Sequence, residues 1–76
     1  MKLDLAKLGQ NIREYRQKAA LTQNALAFII GSRQQVIVRW ELGQVEPRLT
    51  TLYLIAGAIG LSNVADLLRG VELLPD

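Results

Sequence analysis

Two neighbouring glutamines, Gln34 and Gln35, stand inside "GSRQQVIVRWELG", with Arg33 before them and Arg39 after them. A glutamine amide offers a donor and an acceptor side by side, which matches N6 and N7 of adenine as a bidentate pair. An arginine fork suits guanine or a phosphate, and the valine at Val38 suits the methyl group of thymine. These residue types fit the reading of duplex DNA if one element carries them on one face. Any one of them alone is an ordinary exposed helix position; the set on one face carries the reading.

Other chemistries lack their residues. The chain has no histidine and no cysteine. That removes the commonest general base, the commonest transition-metal ligand, thiolate metal sites and disulfides. No acid pair stands at close spacing, and Ser32 has no candidate base near it in sequence. No catalytic residue, metal or cofactor is expected, and the chain is not expected to be an enzyme.

The 76 residues set the expectation of one domain over 1–76, with one modest core and no separate sensor module. The apolar runs "LAFIIG" and "LYLIAGAIGL" fall well short of the roughly 20 residues a membrane span needs. "MKLDLAKLGQ" carries an early acid and no continuous apolar core, unlike a secretory signal. A cytoplasmic protein is expected, which the lack of cysteine permits. The net charge of +2 is unevenly spread. Arg13, Arg16, Lys18, Arg33 and Arg39 face only Glu14 in that span, a balance of +4, whereas from Leu49 onward Arg69 faces Asp66, Glu72 and Asp76, a balance of −2. A basic middle is the footprint expected for a phosphate backbone, and equally that of a solvated helix face.

The apolar spacing supplies the elements. Leu5, Leu8, Ile12, Tyr15 and Ala19 form a helical stripe over about 4–18. Thr22 is a good N-cap for a second helix that carries Leu26, Ala27 and Ile30 and that Gly31 can stop. The stretch "QVIVRW" has strand propensity. As a strand it would set Gln35, Ile37 and Arg39 against Val36, Val38 and Trp40, but no second strand-like run exists to pair with it. As a helix, at about 100° per residue, it gathers Gln34, Gln35, Val38 and Arg39 on one side and Val36, Ile37 and Trp40 on the other. The context favours the helix. Gly43 and Pro47 punctuate the chain after it. Leu49, Leu52, Ile55, Ala56 and Ile59 make a fourth stripe ending near Gly60, and Ser62 is placed to cap a short fifth helix over about 63–69. The tail 70–76 has no assignment. Two helices joined by a tight turn at Gly31-Ser32 form a helix-turn-helix arrangement over about 22–42, whose second helix presents its first residues to base edges.

The residues from Leu8 to Ser62, "LGQNIREYRQKAALTQNALAFIIGSRQQVIVRWELGQVEPRLTTLYLIAGAIGLS", resemble the Cro and phage-repressor type helix-turn-helix proteins, the xenobiotic-response-element family. "LTQ", Leu26-Ala27, Gly31, Ile37 and "RWE" carry the resemblance, with the later "LA-AIG"-like pattern. It implies an all-α bundle of five short helices of the lambda-repressor-like type. It also implies a bacterial or phage-encoded regulator, a repressor that binds a two-fold DNA operator as a homodimer. The resemblance places Gln34, Gln35 and Arg39 on bases, with Val38 beside them and Arg33 on base or phosphate. Thr22, Gln23, Gln44 and Arg48 would meet the phosphate backbone, and Arg16 and Glu41 would form an internal ion pair.

The chain also departs from the pattern. Ser32 stands one place before the usual hydroxyl cap of the third helix, and Arg33 follows it. Glu46 lies close to the implied phosphate path. Phe28, Ile29 and Leu54 stand where charged or polar residues are usual. They are either extra core covered by the tail or a dimer or partner surface. The second option supports an alternative function: an antitoxin-like or other partner-binding protein in which DNA binding is secondary.

Overall fold

The computed structural model describes all 76 residues. In chain order it contains β1 (Lys2–Leu3), α1 (Leu5–Lys18), α2 (Gln23–Ile30), α3 (Gln34–Glu41), α4 (Leu49–Ala58), a 3-10 helix (Val64–Leu68) and β2 (Leu73–Leu74). The expected fifth α-helix is corrected: the bundle has four α-helices, and the fifth helical segment is a 3-10 helix. Its cap also differs. Asn63, not Ser62, accepts a hydrogen bond from the Ala65 N–H at 2.9 Å. A segment of five residues makes too few α-type bonds to offset helix nucleation, and the tighter turn suits it.

The tail 70–76 also has a place. β2 pairs antiparallel with β1, Lys2 opposite Leu74 and Leu3 opposite Leu73. The Asp4 N–H donates to the Glu72 carbonyl at 2.9 Å beside that pairing. Strands of two residues are too short to show alternation in a sequence.

Each helix starts and stops for a local reason. The Asp4 carboxylate accepts from the Lys7 N–H at 3.1 Å to open α1, and Arg16 and Lys18 lie in its last turn, where the helix dipole favours cations. The Thr22 hydroxyl accepts from the Ala25 N–H at 3.0 Å to open α2. Gly31, at φ 71°, closes α2 in the left-handed region, where a side chain is disfavoured. α3 begins from Arg33 with no side-chain cap, and α4 begins from Arg48 the same way.

The core gathers Leu8 and Ile12 of α1, Leu26 and Ala27 of α2, Ile37 and Trp40 of α3, Leu52, Ile55 and Ala56 of α4, then Ile59 and Leu67. Val36 packs against it from α3. α1 lies on α3 and on the 3-10 helix, while α2 lies on α3 and α4. The buried Asn11 side chain donates to the carbonyls of Leu67 and Arg69 at 2.9 and 2.8 Å, pinning the end of the 3-10 helix to α1. That arrangement satisfies a polar group that burial would otherwise make costly.

α1 and α3 approach closely at Gly9. A Cβ there would collide with the Trp40 carbonyl oxygen and sit 2.6 Å from the Glu41 carbonyl oxygen. Both obstacles are backbone, so neither can swing aside. Gly9→Ala is expected to lose about 1–3 kcal/mol of stability, the usual range for overpacking. Urea unfolding checks this, and an unchanged midpoint would show that the two helices can part at no cost.

Candidate nucleic-acid interface

The turn between α2 and α3 is closed by backbone bonds. The Gly31 N–H donates to the Phe28 carbonyl at 3.3 Å, and the Ser32 N–H donates to the Ala27 carbonyl at 2.8 Å. This sets the first turn of α3 beside the flank of α2. Ile37 and Trp40 are buried beneath it, so the opposite side of α3 faces water. Arg33, Gln34, Gln35 and Arg39 are exposed there, and Val38 is half-buried.

Three shallow clefts run along this side and share their walls. The first is lined by Arg13, Arg16, Thr22, Gln23, Asn24 and Gln34. The second runs from Asn24, Ala27 and Phe28 to Ser32, Arg33, Gln34 and Gln35. The third is lined by Arg33, Gln35, Val36 and Arg39. Asn24 and Gln34 belong to both the first and the second, and Arg33 and Gln35 to both the second and the third. The structure thus gathers Thr22, Gln23, Arg33, Gln34, Gln35 and Arg39 along one ribbon. Val38, Gln44 and Arg48 line none of the clefts. Gln44 and Arg48 are exposed on the connection from α3 to α4.

Beneath the ribbon lies an ion pair. Arg16 Nε donates to Glu41 Oε2 at 2.6 Å, Arg16 Nη2 donates to Glu41 Oε1 at 3.0 Å, and Arg16 Nη1 donates to the Leu21 carbonyl at 2.8 Å. The two side chains are 9% and 4% exposed, so the charges are largely withdrawn from solvent. Gln23 Nε2 donates to Glu41 Oε1 at 3.1 Å. The amide of Gln23 is therefore tied to the end of α3, which fixes the first turn of α2 against the pair. One cation of the basic middle is neutralised internally. Lys18 sits over the Tyr15 ring, 5.3 Å from its centroid, and borders a separate cleft with Lys7, Glu14, Asp66 and Arg69.

Two ribbon residues have no site role in the sequence: Arg13 counts there only towards the basic middle, and Asn24 has no assignment. Each had a signal in its spacing. Arg13 precedes Arg16 by three residues on α1, and Asn24 follows the cap Thr22 by two, inside the first turn of α2. For Phe28, Ile29 and Leu54, cover by the tail is overturned. β2 pairs with β1, and the three residues are exposed. Leu54 shares the outer side of α4 with the exposed Leu49 and Tyr53.

Residues 12–63 match a family model described as Helix-turn-helix, of the Cro and C1 type. The chain is 38% identical over 56 residues to an uncharacterized HTH-type transcriptional regulator of Methanothermobacter thermautotrophicus, covering 74% of this chain and 81% of that protein. It is similar in structure to the restriction-modification controller protein C.AhdI from Aeromonas hydrophila, with a TM-score of 0.79 and 33% identity over 84% of this chain and 96% of that one. The clp gene regulator ClgR from C. glutamicum also superposes with a TM-score of 0.79, at 28% identity over 86% of this chain and 83% of that one. No helix is long and apolar enough to cross a membrane. With its helix-turn-helix geometry and a family match over most of its length, the chain belongs to the Cro and C1 type helix-turn-helix family of DNA-binding transcription regulators.

Proposed function

We propose that the chain is a sequence-specific repressor that binds a two-fold duplex operator as a homodimer, with α3 in the major groove. The ribbon of linked clefts carries this reading, because it aligns the starts of α2 and α3 on one solvent-facing side. In a helix-turn-helix the second motif helix presents its N-terminal residues to base edges. Gln34 and Gln35 then pair with adenine edges, Arg39 and Arg33 with guanine or phosphate, and Val38 with a thymine methyl group.

Phosphates hold the register. Thr22 and Gln23 meet the backbone at the start of α2, where free N–H groups and the helix dipole favour an anion. Gln44 and Arg48 meet it beyond α3. The outer face of α4, with Leu49, Tyr53 and Leu54 exposed, joins the two copies.

Selection of bound duplexes from a random pool tests this. The expected product is a two-fold symmetric site, bound with steep salt dependence. Arg48→Ala is expected to weaken all sequences alike and to lower the salt slope by about one. Binding that ignores salt, or that prefers no sequence, rejects the proposal.

The exposed Phe28, Ile29 and Leu54 support a second reading, an antitoxin-like protein whose main ligand is another protein. A stable partner co-purifying with the native chain, combined with no sequence preference on DNA, would favour it.

A further inference from the structure

We infer that Phe28 is a specificity-determining residue of the interface, packing its ring on a thymine methyl group beside the bases met by Gln34 and Gln35. The inference rests on the DNA reading of α3. Phe28 is 87% exposed, the most exposed large apolar side chain in the molecule. It lines the middle cleft of the ribbon, whose other walls are Asn24, Ala27 and the residues from Ser32 to Gln35. The ring is the only large apolar group in that cleft.

Its position is fixed by the backbone. The Phe28 carbonyl accepts from the Gly31 N–H, and the left-handed Gly31 brings α3 back alongside. Asn24 stands one turn earlier on the same edge of α2 and borders both this cleft and the one at the start of that helix. Ile29, about 100° further round, lines none of the clefts. The exposed apolar groups of α2 therefore face different ways, and only Phe28 faces the start of α3.

The occupant follows from geometry and chemistry. In this motif the first helix crosses the DNA backbone while the second enters the groove. A side chain on the edge shared by both helices stands at the mouth of the major groove. The thymine C5-methyl is the apolar feature that base edges present there. A phenylalanine ring has no donor or acceptor for the remaining edge atoms. The polar walls around the ring fit a base edge better than the apolar core of a protein interface.

The test uses the operator selected by the wild-type chain. Each thymine in turn is replaced by uracil, which removes only the methyl group, and binding is measured for wild type and Phe28→Ala. Phe28→Ala is expected to bind the operator about three- to tenfold more weakly, as for the loss of one small apolar contact. Its salt slope and melting temperature are expected to stay unchanged. One uracil position in each half-site should weaken the wild type and leave Phe28→Ala unaffected.

If every methyl group matters equally to both proteins, or if the variant loses the same factor on random duplexes, the inference is overturned while the DNA reading stands. Loss of the dimer in sedimentation of Phe28→Ala, with no methyl coupling, also overturns it and makes this edge a protein interface. A wild type that selects no sequence removes the DNA reading itself, and this inference with it.

Discussion

Arg16→Ala is expected to destabilise the chain by about 3–5 kcal/mol, the cost of stranding a buried charge. The substitution removes two of the three side-chain donors to Glu41 and the donor that serves the Leu21 carbonyl. Glu41 is then left with the single amide of Gln23. In the intact fold its side chain is only 4% exposed, so the carboxylate relies on these protein donors rather than on water. A small domain has roughly 5–15 kcal/mol of stability in total, so the loss takes a large share of it. At about 4–8 °C per kcal/mol for a domain of this size, thermal melting should register a fall of well over 10 °C.

A second variant separates the charge from the packing. Arg16→Met combined with Glu41→Leu removes both charges and keeps apolar volume, so it should recover most of the loss. Buried ion pairs replaced by well-packed apolar groups are often neutral or stabilising. A melting temperature unchanged in Arg16→Ala would show that the pair contributes nothing, and Arg16 would then belong with the surface cations.

The second large effect falls on recognition and leaves the fold alone. Gln34→Ala and Gln35→Ala are each expected to cost about 1–3 kcal/mol on the selected operator, the worth of one bidentate base contact. Both side chains are exposed and neither is buried against the core, so melting should move little. The distinguishing readout is positional. Selection repeated with each variant should lose preference at one or two base pairs and keep it elsewhere, unlike the uniform weakening expected of a phosphate contact. A variant that selects the wild-type site in full would remove that glutamine from the reading face.

Much of this is legible in the sequence. The stripes of α1, α2 and α4 follow the helical period, and their apolar members are the core or pack against it, except Leu49, which starts the α4 stripe and is exposed. The β-branched run in "QVIVRW" points towards a strand by propensity, yet Ile37 and Trp40 are buried on one side of a helix. Burial against α1 and α2 outweighs a preference worth tenths of a kcal/mol per residue. The ion pair spans 25 residues of sequence, and only the family pattern joins its two members.

What stayed hidden depended on contacts between distant segments. The pairing of β1 with β2 joins the two ends of the fold through strands too short to carry a pattern. The 3-10 turn looks like any short helix until its length is known. Phe28, Ile29 and Leu54 group together in the sequence as apolar departures from the family pattern, and such a departure has no direction. On the helices they face different ways, and only Phe28 borders the cleft at the start of α3.

The close approach at Gly9 bears on how α3 is aimed. The last residues of α3 are clamped, with the Trp40 and Glu41 carbonyls against α1 and the Glu41 side chain gripped by Arg16 and Gln23. Its first turn has no side-chain cap. The helix is a beam held at two points, by this clamp and by the Gly31 and Ser32 bonds to α2. Shifting one support tilts the beam about the other. Gly9, packed at the far end of α3 from Gln34 and Gln35, is thus one of the residues that sets where they point.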